Sequence, residues 1–253
     1  METDLLTVSD KIIDWIKNYV QTNKLTSLVI GVSGGVDSGL VSTLCAKTKL
    51  STYVISIPIH QEHFQLERAK NHCKWLTDNF DNVTFIEKDL TNTFDVFKSL
   101  FSNDYNKELS FANSKSRLRM ITLYQVAGST NGIVVGTGNK VEDFGVGFYT
   151  KYGDGGVDIS PIADLTKTEV RKMAKTIGVP EYIVTAKPTD GLWEDNRTDE
   201  DQIGASYEEL EWAMKFEGTH SDLTDRQHQI LKIYNKFNTQ NKHKMLSIPI
   251  FKK

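Results

Sequence analysis

The stretch Ser27-Leu28-Val29-Ile30-Gly31-Val32-Ser33-Gly34-Gly35-Val36-Asp37-Ser38 joins an unbroken apolar run to a hexapeptide of serine, glycine and aspartate. The run has no polar alternation and carries two valines and an isoleucine, as a strand buried on both faces requires. In the hexapeptide, Gly34 and Gly35 let the backbone turn tightly and expose successive N–H groups. Gly39 to Lys49 reads as a helix, whose positive N-terminal end and the Ser33 and Ser38 hydroxyls add to those donors. Strand, turn and helix together form an anion cradle into which a phosphate or pyrophosphate fits. A Ser-Gly-Gly string alone would be an ordinary capped turn; its flanks are what lift it. Neither GxxxxGK[ST] nor GxGxxG is present. A bare carboxylate at Asp37 would repel phosphate, so its natural role there is to bind a Mg²⁺ ion that neutralises pyrophosphate.

Working outward, Leu5, Ile12, Ile13, Ile16 and Tyr19 fall at helical spacing ahead of the strand. Behind it, strands are predicted at Thr52–Ile57, Val83–Ile86 and Ile133–Val135. They alternate with helices at Glu62–Phe80, Thr91–Phe101 and Glu108–Gly128. This βαβαβ series predicts a doubly wound α/β fold: a mostly parallel sheet with helices on both faces. Further helices are predicted over Thr166–Ile177, closed by Gly178 and Pro180, and over Tyr207–Phe216 and Ser221–Phe237, followed by a basic polar tail. No linker or repeat interrupts residues 1–253, which read as one domain.

Of 253 residues, 39% are apolar and 25% charged, an ordinary soluble, globular balance with a real core. The net charge of -3 argues against nucleic acid as a partner and for a small molecule. Cys45 and Cys73 lack CxxC spacing, which argues against a zinc knuckle, an iron–sulfur cluster or a disulfide framework and predicts two reduced core thiols. No apolar run approaches the ~18 residues of a membrane span, and the acidic start METDLLTVSDK is unlike a secretory signal. The expected location is the cytoplasm, away from any membrane. Gly136 to Asp158 loses periodicity and holds seven glycines together with Tyr149, Lys151 and Tyr152, the composition of a functional loop.

The hexapeptide after a buried strand resembles the loop of the N-type ATP pyrophosphatases, Rossmann-like enzymes that cleave ATP to AMP and pyrophosphate. Within them, Tyr149-Thr150-Lys151-Tyr152-Gly153-Asp154-Gly155-Gly156-Val157-Asp158 resembles the FTKYGDGGAD segment of ammonia-dependent NAD synthetases. In the same order stand Ser116-Arg117-Leu118-Arg119-Met120, Gly136-Thr137 with Glu142 five residues past the threonine, Leu165-Thr166-Lys167, Lys187-Pro188-Thr189, Asp199-Glu200-Asp201 and His243-Lys244. The resemblance spans essentially the whole chain. No amidase segment precedes it, which points to the ammonia-using form.

The resemblance implies two steps: ATP activates the nicotinate carboxylate of deamido-NAD as an acyl adenylate, then ammonia displaces AMP. It puts ATP at Gly31, Val32, Ser33, Gly34, Gly35, Val36, Asp37, Ser38, Thr137, Lys167 and Thr189, with Asp37 and Lys167 catalytic. Mg²⁺ would lie between Asp37 and Glu142, oxygen donors that suit it and not zinc. Deamido-NAD would meet Arg117, Lys151, Asp158, His243 and Lys244. Arg119, two residues from Arg117, is expected to face elsewhere in a structural ion pair. Lys167 is either a phosphate contact or a surface charge in its helix's first turn, where a cation is disfavoured without an anion. The family is typically homodimeric, and the first helix, with Trp15 and Tyr19, either contributes to that interface or packs on its own domain. Gly138-Asn139-Lys140 and Asp190-Gly191 depart from the family pattern, and Lys140 receives no role. For a tRNA-acting thiolase the chain lacks paired CxxC cysteines and a basic excess; a nucleotide sensor without chemistry is the reading from another class.

Overall fold

The computed structural model describes residues 4–101, 103–188, 191, 198–219, 221 and 223–253. Strands β1 (Ser27–Gly31), β2 (Ser51–Ser56), β3 (Val83–Glu87) and β4 (Gly132–Val134) form a parallel sheet in the order β3-β2-β1-β4. Val29 pairs with Tyr53 on one side and Val134 on the other, so β1 lies inside the sheet. Val135 and Ile159 add a parallel bridge beyond β4.

The helices are α1 (Leu5–Thr22), α2 (Val36–Lys47), α3 (His63–Asn79), α4 (Thr91–Ser99), α5 (Glu108–Ser129), α6 (Lys167–Thr176), α7 (Glu181–Val184), α8 (Asp199–Ile203), α9 (Tyr207–Lys215) and α10 (Asp225–Met245). Successive side chains of a strand point to opposite faces. Leu28 and Ile30 therefore enter a core with Ile13 and Ile16 of α1, Leu40 and Leu44 of α2 and Met173 of α6. Val29 enters another with Leu123 and Ala127 of α5. Helices thus cover both faces, as expected. A third core of Val146, Ile203, Leu210 and Ile230 joins α8, α9 and α10.

The chain runs β1 to β2 to β3 toward one edge and returns to set β4 on the other side of β1. That reversal opens a crevice at the carboxyl ends of β1 and β4, where ligands of such sheets bind. Both the Ser33–Ser38 loop and the glycine-rich segment after Val135 leave the sheet there. Several expected boundaries move. Gly35, in extended conformation, starts α2 at Val36, so half the hexapeptide is helical. The supposed basic tail continues α10 to Met245, held by Asn238 Nδ2 and Asn241 Nδ2 donating to the Gly145 and Val146 carbonyls at 2.8 Å each. Val141–Val146 forms a π-helical turn ended by left-handed Gly147. The Thr166 cap of α6 is a full capping box with Glu169, and Gly178 takes φ +88, as the reading required.

Cys45 and Cys73 are buried free thiols, and burial pushes Cys73 up to about 12. The first helix packs on its own sheet through Ile13, Ile16 and Val20, leaving Trp15 exposed. Among the described residues no helix is long and apolar enough to cross a membrane.

His72 makes this core acid-sensitive. Its Nε2 bonds the Ser42 hydroxyl at 2.9 Å, its ring stacks on Trp75, and Nδ1 has no partner among the described residues. Burial, opposed by the Gly39 backbone, holds the imidazole down to about 4. The unfolded chain therefore binds a proton below about pH 6.5 that the folded chain refuses, so stability falls as pH drops from there toward 4. Urea unfolding at pH 5 should show about 2 kcal/mol less stability from this residue than at pH 8, and His72→Gln should remove that part of the slope. An unchanged slope would place the titration elsewhere.

Candidate active site

The crevice is a cleft of about 730 Å³ bordered by the phosphate-type loop, α3, α5, the glycine-rich segment and the end of α10. Gly31, Val32, Ser33, Gly35, Val36, Asp37, Ser38, Thr137 and Lys167 all line it. Gly34 sits behind the loop, and Thr189 lies outside the described residues. Ser38 Oγ accepts the Ser33 N–H at 3.2 Å and donates to the Gly35 carbonyl at 3.0 Å, which closes the loop on itself. Among the described residues no side chain caps α2. Its first N–H groups therefore remain for a ligand.

At the floor, α6 begins with Lys167, only 2% exposed, whose Nζ donates to Asp37 Oδ2 at 2.6 Å and Glu142 Oε1 at 2.9 Å. The anions that justify a lysine at a helix start are thus two carboxylates of this same chain. Burial would lower the Lys167 pKa, but both carboxylates raise it, and the ammonium stays charged. Burial lifts Asp37 above the usual carboxylate range despite Lys167. Burial also acts to raise Glu142, yet Lys167 and the Tyr207 hydroxyl hold it below its ordinary value. Next to this trio, burial and the charges of Glu142, Asp154 and Asp37 push Asp143 up to about 8.

Two residues that the sequence did not flag position the trio. Tyr207 donates its hydroxyl to Glu142 Oε1 at 2.5 Å, and its ring lies 4.7 Å from the Lys167 ammonium. Asn139 is fully buried; its Nδ2 donates to Asp37 Oδ1 at 3.1 Å, while its Oδ1 accepts the Val141 and Glu142 N–H groups, each at 3.1 Å. The altered segment thus carries the strut between the two carboxylates. Lys140, left without a role, pairs on the surface with Asp164.

At the other end, four residues expected at the dinucleotide come together. Arg117 donates to the Lys151 carbonyl, Lys151 Nζ to the His243 carbonyl at 3.0 Å, and Lys244 Nζ to the Tyr149 carbonyl at 2.7 Å. All four line the cleft. Asp158 is not brought in with them: it accepts the Val134 N–H at 2.7 Å and the Tyr124 hydroxyl at 3.0 Å. Arg119 corrects its expectation. It borders the same cleft as Arg117 and donates to the Ile57 carbonyl at 3.0 Å and Gln61 Oε1 at 2.9 Å. The acids Asp199 and Glu200 open the short helix α8, where negative charge is favoured.

Among the described residues, no group of three or more His, Cys, Asp or Glu could hold a metal ion. Asp37 and Glu142 are nevertheless hard oxygen donors sharing one ammonium, a partial set that suits Mg²⁺ completed by water and phosphate oxygens.

An uncapped helix behind a turn of serine and glycine, paired carboxylates and a basic far wall together define an ATP-using ligase of the doubly wound α/β class. The sequence profile of the NAD synthase family matches residues 8–247. The chain is 38% identical over 215 residues to the NH(3)-dependent NAD(+) synthetase of Finegoldia magna, covering 84% of this chain and 86% of that one. Among solved structures it is similar to the NMN synthetase of Francisella tularensis, at 27% identity and TM-score 0.88 over 98% of this chain and 99% of that one. It is also similar to the NH3-dependent NAD synthetase of Campylobacter jejuni, at 25% identity and TM-score 0.80 over 99% and 100%. The chain belongs to the NAD synthase family, and with it goes the ATP-driven, ammonia-dependent amidation of deamido-NAD that the motifs imply.

Proposed function

We propose that the cleft binds ATP by its triphosphate at Ser33–Ser38, with Thr137, Lys167 and Thr189, and the nicotinate nucleotide at Arg117, Lys151, His243 and Lys244. The observation that carries this reading is the Asp37–Lys167–Glu142 cluster beside an uncapped helix start, with the basic wall across the same cleft. A free carboxylate cannot expel oxide, so it must first be esterified to the α-phosphate, pyrophosphate leaving; ammonia then attacks the acyl carbon and AMP leaves. The chain supplies no nucleophile. The α2 N-terminus and the loop hydroxyls orient the phosphates, and Lys167 stabilises charge that builds on the α-phosphate. Mg²⁺ held by Asp37 and Glu142 would neutralise the pyrophosphate. Asp158, whose carboxylate is committed to Val134 and Tyr124, is proposed to shape the edge of the nucleotide site.

A second reading concerns substrate size. The likeness to an NMN synthetase, at a higher TM-score than to the dinucleotide enzyme, favours nicotinic acid mononucleotide as an additional substrate. It changes nothing at the reacting carboxylate and asks less of the far wall.

We further propose one domain over residues 1–253, a cytoplasmic location, in keeping with two reduced thiols, and a homodimer using the side of α1 that carries exposed Trp15 next to Tyr19. The test is incubation of the full chain with ATP, Mg²⁺, ammonium and either deamido-NAD or the mononucleotide, with AMP and amide followed together. AMP and amide should form in equal amounts; AMP without either amide would overturn the assignment. The ratio of kcat/KM for the two acids decides substrate size. Sedimentation of the active species as a monomer would remove the dimer.

A further inference from the structure

Arg68, on α3, was singled out by no motif, yet its Nε donates to the Gly34 carbonyl at 2.7 Å. The contact is built in. Gly34 has φ +83, and a Cβ there would come within 3.0 Å of Ala69 N and 3.2 Å of Gln65 O, so loop and helix meet backbone to backbone. Arg68 is half-buried and lines the cleft, with the Phe64 ring 6.0 Å from its guanidinium carbon. Among the described residues no carboxylate pairs with it, and burial lowers its pKa with no acid opposing. A partly desolvated guanidinium without a counter-ion is unfavourable unless an anion arrives to meet it.

Charge at the loop points the same way. The ammonium of Lys167 is shared between Asp37 and Glu142, so the three groups together carry one net negative charge. That cluster cannot by itself offset a triphosphate. A planar guanidinium with one N–H fixed on the loop, and none of its other N–H donors committed among the described residues, is suited to a fork onto phosphate oxygens.

We propose that Arg68 is a phosphate-binding residue of this ligase: anchored through Nε on Gly34, it presents its terminal N–H groups to the β- and γ-phosphates of ATP and keeps them on the pyrophosphate as it departs. This rests on the reading that Ser33–Ser38 holds the triphosphate.

The experiment titrates inorganic pyrophosphate into the full-length protein and measures KM for ATP and for the nicotinate nucleotide, in wild type, Arg68→Met, Arg68→Lys and Ser33→Ala. Arg68→Met should weaken pyrophosphate and raise KM for ATP at least tenfold while KM for the nicotinate nucleotide holds. Arg68→Lys, which restores charge without the fork, should recover part of both. Ser33→Ala, a loop hydroxyl, should weaken pyrophosphate several-fold. If Ser33→Ala weakens it and Arg68→Met does not, Arg68 is a brace and the proposal fails while the loop reading stands. If neither weakens it, or wild type does not bind it, both fail. Equal rises in both KM values, unrelieved by lysine, would also make Arg68 a brace.

Discussion

Replacing Lys167 by methionine is expected to lower folding stability by about 3–5 kcal/mol and to abolish amide formation. The stability loss arises because the substitution removes the cation and leaves two mostly buried carboxylates, Asp37 and Glu142, facing each other. One of them must then take up a proton to fold. Without Lys167 their folded pKa values lie above the unfolded ones, so the destabilisation is smallest near pH 4–5 and grows as pH rises through the raised values. For a chain of this size the melting temperature should fall by roughly 10 °C near pH 8. Urea unfolding of Lys167→Met at pH 5 and pH 8 checks the sign. The triple variant Lys167→Met, Asp37→Asn, Glu142→Gln should regain most of the stability and none of the activity, which separates folding from chemistry. A single Lys167→Met variant as stable as wild type at pH 8 would show that the cluster is solvated and that its charges are not coupled.

What was readable in the sequence follows from how local each feature is. The four strands lie within a residue or so of their expected places because a buried β-branched run between turn residues has few other solutions. The end of α10 was missed for the opposite reason. Its last turns carry few apolar residues and are fastened by Asn238 and Asn241 to carbonyls of the π-helical turn, polar contacts that leave no periodicity. At the site, Asp37, Glu142 and Lys167 were recognisable from motif order. Their mutual bonding was not, since it joins positions 130 and 25 residues apart. Tyr207 entered the sequence reading only as the first residue of a helix; its ring packs in the core of α9, and its hydroxyl, 65 residues from Glu142 in sequence, carries a second role. Asn139 stood in a segment that departs from the family pattern, and the departure turns out to be the link between two carboxylates. The expected separation of Arg117 and Arg119 failed because a broad cleft collects side chains from more than one stripe of α5, and Arg119 is long enough to be drawn to the Ile57 carbonyl.

Asp37→Asn should act mainly on chemistry and cost folding less than Lys167→Met. The amide keeps one oxygen, for Asn139 Nδ2 or for Lys167 Nζ, and turns its NH2 toward the other donor; Lys167 keeps its bond to Glu142, so one hydrogen bond is lost but no buried charge is stranded. Burial already acts against the charged form of Asp37, so exchanging it for a neutral group of the same shape should cost only about 1–3 kcal/mol, the loss of one buried hydrogen bond. The negative charge, however, is half of the carboxylate pair proposed for Mg²⁺ and the partner that holds Lys167 beside the α-phosphate. We expect the rate of pyrophosphate release at saturating ATP to fall at least 100-fold, the size of effect seen when one charge-stabilising group is removed from a preorganised site. Raising Mg²⁺ should recover only part of it, because added metal cannot restore the orientation of Lys167. Glu142→Gln should resemble it in the metal requirement but lose stability as well, since the Tyr207 hydroxyl, itself buried, would exchange a charged acceptor for a neutral one. Pyrophosphate release from Asp37→Asn at the wild-type rate in saturating Mg²⁺ would remove Asp37 from the chemistry and leave the Lys167 cluster as a purely structural knot under the cleft.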